Sequence, residues 1–151
     1  MLKENLDFFE KLELKNNNVC YLKSSIQIID RKNISEVKSY MLQAKVNRFR
    51  ICLHNSIQEK IQRMILFYKK NEIMDFHWQE SGITQYSCIE GKGLITIKEN
   101  NSDINYILDQ SQFMLKLSSN KIRKSQALSD FWIFYEICEG PFKQENTKRL
   151  I

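Results

Sequence analysis

Linker-forming composition is what this chain most lacks. Only four of its 151 residues are glycine and one is proline. No Pro/Gly/Ser-rich stretch divides it, so one domain with a single core is expected. Its four cysteines, Cys20, Cys52, Cys88 and Cys138, form no C-x-x-C pair, which argues against a zinc knuckle or a redox motif and reads instead as buried thiols. The opening MLKENLD interrupts its apolar residues with charge and lacks the apolar run of a signal peptide, and no later stretch approaches membrane-spanning length. A cytoplasmic protein without a membrane partner is expected. The net charge of +5 is not gathered into one basic run; it is spread over Arg48/Arg50, Lys69-Lys70, Lys121 to Lys124 and Lys143 to Arg149. That dispersion speaks against nucleic acid and fits a small anionic ligand, which a few convergent Arg or Lys side chains hold.

What is present is alternation. Leu2, Leu6, Phe9, Leu12 and Leu14 suggest an N-terminal helix ended by Asn16-Asn17-Asn18, followed by short strands or irregular edge segments at Val19 to Leu22 and Ile26 to Ile29. Asn33 and Glu36 have the spacing of a capping box, opening a helix to about Ala44 that buries Ile34, Val37, Met41 and Leu42. Beyond Arg48 the period becomes two. Strands are expected at 49–53, 63–68, 73–78, 85–90, 94–99, 104–108, 113–117, 122–127 and 131–138, at the short intervals of a β-sandwich or barrel. With glycine scarce, Asn71, Asn100-Asn101 and Asn120 stand where turns are needed, and asparagine tolerates left-handed backbone.

Several polar residues sit where a barrel interior is expected. His77 and Gln79 are two apart on a strand and project to one face, with Trp78 on the other. A turn at Ser81-Gly82 is expected to bring the next strand back beside the first, so that Thr84 meets them across the pair. His77 reads as a hydrogen-bonded core histidine, a metal ligand or an acid/base group. His54 follows a strand and lines either an edge or the pocket. Arg48 and Arg50 share a strand face. Glu136 shares a face with Phe134 and Cys138 and, if that face is interior, needs a partner such as Arg123 or His77. Tyr86 and Trp78 offer rings for stacking a sugar or for packing.

These residues resemble those of the WbuC-type cupin family, small proteins often encoded among surface-polysaccharide genes. The matching stretches are AKVNRFRICLH (Ala44 to His54), Gln62 to Met64, the His77 segment through Gly91, and EICEGPF (Glu136 to Phe142). The resemblance implies a mainly β fold, the cupin double-stranded β-helix or jelly-roll barrel, with helical N-terminal elements. It divides the chain into an N-terminal extension (1–33), the cupin domain (34–142) and a basic tail (143–151). It also implies that His77, Gln79, Thr84 and Arg123 occupy the family's metal-ligand positions, where His-x-His, Glu and a further His are expected. Only His77 keeps a strong ligand, and an arginine stays protonated and donates no lone pair.

Three functions fit this set. The first is a metal-free protein with no resident cofactor that binds a small anionic ligand, such as a sugar nucleotide or a carboxylated sugar, through Gln79, Tyr86, Arg123, Glu136, Arg48 and Arg50. The second is a carbohydrate isomerase or epimerase using His77 or His54 as acid/base. The third is a metal-dependent cupin holding zinc, iron, nickel or manganese through His77 and the amide oxygen of Gln79. A homodimer is expected from the apolar N-terminal segment.

Overall fold

The computed structural model describes residues 8–25 and 27–150. Among them, Phe8–Lys11 is a single 3-10 turn, followed by β1 (Leu12–Leu14), β2 (Val19–Leu22), one helix α1 (Arg31–Gln43), β3 (Arg48–Cys52), β4 (Ile61–Lys69), β5 (Ile73–Gln79), β6 (Thr84–Glu90), β7 (Gly93–Glu99), β8 (Ser102–Leu108), β9 (Met114–Leu117), β10 (Arg123–Ala127), β11 (Phe131–Glu139) and β12 (Thr147–Arg149). All nine strands expected from the alternation are present. Among the described residues, no helix is long and apolar enough to cross a membrane.

The strands form two sheets, ordered β1-β2-β3-β4-β11-β6-β9 and β12-β5-β10-β7-β8. From β4 onward the pairing is nested. β7 pairs with β8, β6 with β9, β5 with β10 and β4 with β11, all antiparallel. One long hairpin is thus rolled so that alternate pairs fall in opposite sheets, which is a jelly roll. The expected hairpin between β5 and β6 does not exist. Their connection crosses from one sheet to the other.

The larger sheet is covered on both faces, which explains the unbroken apolar runs of β4 and β11. Its inner face contributes Met64, Leu66, Tyr68, Trp132 and Phe134 to the barrel core, and its outer face packs Ile65, Phe67 and Ile133 against Ile34, Val37 and Met41 of α1. Burying those three helix side chains contributes about 1.5–3 kcal/mol each. Leu42, expected on that face, is exposed. The helix begins earlier than expected: Asp30 is the cap, its carboxylate accepting from the Asn33 backbone N–H while the Asn33 side chain accepts from the Asp30 N–H. Lys38 and Arg31 then bond Glu90 at the end of β6, tying the helix to the sheet.

The expected N-terminal helix is corrected where it is described. Leu12 and Leu14 belong to β1, because the three asparagines allow a tight reversal that pairs Leu12 with Leu22. Leu2 and Leu6 lie outside the described residues, as does Ile26. Asn71, Asn100 and Asn120 take the left-handed backbone expected of them, with φ of 68°, 29° and 63°. Gly93 is required for a different reason. A Cβ there would lie 2.2 Å from the Trp132 indole.

Candidate functional site

Between the sheets lies a cavity of about 980 Å³. The segment that shapes it is β5. Arg123 of β10 stands opposite His77, but Ser125 stands opposite Met74, so β5 carries one extra residue in that interval. Such a bulge breaks the period of two and re-aims the side chains on either side of it. Met74, His77 and Gln79 therefore all line the cavity, a pattern that strict alternation forbids.

His77, Gln79, Thr84 and Arg123 converge. The Thr84 hydroxyl donates to Gln79 Oε1 at 2.9 Å, joining β6 to β5 across the corner between sheets. Arg123, 3% exposed, donates from Nη2 to Thr84 Oγ1 at 3.3 Å and from Nε to the Tyr86 hydroxyl at 3.1 Å. Gln79 also reaches the Cys138 thiol, which burial pushes up to about 12. The guanidinium thus ties Tyr86 to Thr84 and, through the Thr84 hydroxyl, to Gln79. Burial opposes the charge on Arg123, but Tyr86 and Glu136 more than offset it, so the group is held protonated even more firmly than usual.

His77 donates from Nδ1 to its own strand's Asp75 carbonyl at 2.8 Å, since a carbonyl only accepts. Nε2 is thereby left as a lone-pair acceptor. Burial, reinforced by the charge of Arg123, lowers its pKa to about 4, so the ring is neutral at pH 7. His54, 5% exposed, accepts the Arg63 N–H at 3.1 Å on Nδ1, sets its ring edge-on to Tyr21 and lines the cavity. Burial lowers its pKa also.

Glu136 is on the cavity wall, half-buried, beside Tyr86 on the neighbouring strand. Burial raises its pKa, against the pull of Arg123 and Arg50. The closed Arg123–Glu136 ion pair considered from the sequence is not formed: among the described residues no ion pair within 4.0 Å includes either group.

Arg48 and Arg50 part company despite sharing a strand face. Arg48 does not line the cavity. It binds Glu72 at 2.6 Å, donates to the Ile73 carbonyl at 3.0 Å and lies over the Tyr68 ring. Arg50 lines the cavity, and its buried Nε has no hydrogen-bond partner. Tyr86 is 4% exposed and packs edge-on against Phe134, so its hydroxyl and not its ring face is engaged at the site. Trp78 is half-buried outside the cavity lining.

The C-terminal basic stretch is the part of the site that sequence reasoning missed. Residues Thr147–Arg149 add an edge strand to β5, with Arg149 opposite His77, and Lys148 and Arg149 line the cavity mouth. Thr-Lys-Arg carries no apolar alternation. The only signal was charge.

His77, Gln79, Thr84 and Arg123 together do not fit a divalent transition metal. Gln79 Oε1 is already occupied by the Thr84 hydroxyl, and a buried guanidinium stands at the fourth position, leaving one imidazole as a strong donor. Among the described residues, no group of three or more His, Cys, Asp or Glu is placed to hold an ion.

No family model matches the chain, and no curated protein does. Solved structures do. The capsular polysaccharide assembling protein CapF from Staphylococcus aureus matches with a TM-score of 0.62 at 14% identity over 70% of this chain and 32% of its own. Oxalate decarboxylase from Bacillus subtilis matches with a TM-score of 0.54 at 21% identity, over 62% of this chain and 25% of its own. A cupin superfamily protein from Desulfitobacterium hafniense matches with a TM-score of 0.52 at 16% identity, over 62% and 78%. The chain spans about a third of the length of CapF. With the nested pairing of β4 to β11, these likenesses give the fold: a mainly β cupin jelly roll.

Proposed function

We propose that this is a WbuC-type cupin that binds a small anionic ligand of the sugar or sugar-nucleotide class, without a metal, in surface-polysaccharide metabolism. The observation that carries the reading is Arg123. A buried guanidinium stands where the WbuC resemblance implies a metal ligand, keeps its charge without an ion pair, and faces a cavity large enough for a ligand of that size. Burying an unpaired charge costs stability, and such a cost is expected where the charge awaits a partner. Tyr86 and Thr84 orient the guanidinium, and a ligand carboxylate or phosphate completes its hydrogen bonding. The neutral imidazole of His77 accepts a hydroxyl through Nε2. The capsular polysaccharide assembly for which CapF is named agrees with the polysaccharide context that the WbuC resemblance implies. Pairing of two copies through barrel edges belongs to the same proposal.

Thermal-shift titration with nucleoside-diphosphate sugars and sugar phosphates tests it. At a ligand concentration about a hundred times Kd, the native chain should gain about 2.7 kcal/mol of stability. Arg123→Met should keep its fold and lose the gain. If no anionic sugar stabilises the native chain, or if Arg123→Met responds equally, the reading fails.

The acid/base alternative, with His77 or His54 as the proton carrier, draws on one specific observation: both imidazoles line the cavity, and the Nδ1 bond of His77 to the Asp75 carbonyl leaves its Nε2 as an acceptor. Proton exchange at a sugar carbon in deuterated water, abolished by His77→Gln or His54→Gln, would favour it over binding alone.

A further inference from the structure

The charge at the cavity floor limits which anion fits. Arg50 comes from β3 and Arg123 from β10, so the two side chains line one cavity from opposite sheets. Neither forms an ion pair within 4.0 Å among the described residues, and the buried Nε of Arg50 has no hydrogen-bond partner. Glu136 lines the same cavity, feels both arginines and is paired with neither. With Glu136 ionised the floor carries one net positive charge, which a monoanion neutralises. A phosphate monoester dianion would instead bring two further negative charges beside an existing carboxylate, and like charges in a partly buried site repel strongly.

The neutral groups narrow the choice further. His77 directs its proton to the Asp75 carbonyl and offers only the Nε2 lone pair, and an ionised Glu136 is acceptor-only. Both need donors from the ligand, and hydroxyl groups supply them. The remaining volume leads to the mouth, where Lys148 and Arg149 stand.

Resting on the anionic-ligand reading above, we propose that the cavity floor selects a sugar acid: Arg50 and Arg123 clamp its single carboxylate from the two sheets, while Glu136 and His77 accept its hydroxyls. Any phosphate carried by the ligand, as in a nucleotide-linked sugar acid, belongs at the mouth with Lys148 and Arg149. The specificity device is Glu136, which tolerates a carboxylate clamped by two arginines and rejects a dianion.

Titration calorimetry at pH 7 with glucuronate, glucose, glucose 1-phosphate, UDP-glucuronate and UDP-glucose tests this selectivity. Each glucuronate compound is expected to bind at least about tenfold more tightly than its glucose or phosphate counterpart, in keeping with a charge-assisted bidentate contact. Arg50→Gln, which removes a buried Nε that has no hydrogen-bond partner, should fold normally and lose that preference, and Glu136→Gln should admit glucose 1-phosphate. If UDP-glucose or glucose 1-phosphate binds as tightly as its glucuronate counterpart, the selectivity is overturned while the anionic-ligand reading stands. Equal preference in Arg50→Gln also overturns it. If no anionic compound binds, both fall.

Discussion

Histidine 77 allows a direct test of the electrostatics built into this cavity, because the chain has only two histidines. Their imidazole C–H resonances can be followed by NMR without ambiguity once one is removed. The pKa of His77 lowered from 6.5 to about 4 corresponds to a preference of about 3 kcal/mol for the neutral ring, an upper figure because the ring borders a solvent-accessible cavity. The sign of the coupling to stability comes from comparing the two states of the chain. An unfolded chain takes up the proton near pH 6.5, whereas the folded chain refuses it until about pH 4. The contribution is therefore fully present above 6.5 and is lost as pH falls through the window between these values. For a chain of this size, each kcal/mol moves Tm by about 2–4 °C, so up to roughly 6–12 °C of the acid-side loss should disappear in His77→Asn, which keeps a donor for the Asp75 carbonyl. Arg123→Gln should raise the His77 midpoint and leave His54, which responds to Glu59 and Arg50, nearly unmoved. A native His77 that titrates at 6 or above, or parallel pH–Tm curves for the native chain and His77→Asn, would refute the reasoning.

Two further outcomes test other parts of the structure. Gly93→Ala drives a methyl group to within 2.2 Å of the Trp132 ring, and overpacking of this kind should cost about 3 kcal/mol, read as a lowered midpoint in urea. Replacing Gln79→His, Thr84→Glu and Arg123→His together restores the ligand set that the WbuC resemblance implies; elemental analysis should then find about one zinc per chain, whereas Arg123→His alone should acquire none. A near-stoichiometric metal in the native chain would contradict the donor argument.

The barrel was legible because inner-face and outer-face residues alternate, and β8 to β11 are bounded by asparagine or serine turns. Its connectivity was less so. β5 and β6 are neighbours in sequence, and neighbours usually pair, but the Ser81-Gly82 turn here joins two sheets. The approach of Thr84 to Gln79 was nevertheless legible from their spacing, since a corner between sheets brings them together as well as a hairpin would, whereas Arg123 was placed beside them only by the WbuC resemblance. The bulge that turns Met74 inward was not, because no glycine marks it. Arg48 and Arg50 look equivalent on their strand, and only the fold reveals that Glu72 reaches one of them. The helix start was misread by three residues because its capping box uses asparagine at the position where glutamate or glutamine is the usual sign.

The nested pairing of the barrel has a consequence for how the chain acquires its structure. Within the nest from β4 to β11, only β7 and β8 are joined by a short turn; every pair outside them closes a longer loop, up to Ile61 with Glu139. Loop-closure entropy is therefore lowest at the β7–β8 tip and rises outward, so the economical order of assembly is zippering from Gly93–Leu108 toward β4 and β11. The residues of the candidate site lie on the middle and outer pairs, which makes the cavity a late product of folding. Substitutions around Arg123 should then change the unfolding rate more than the folding rate, as expected for contacts absent from the transition state.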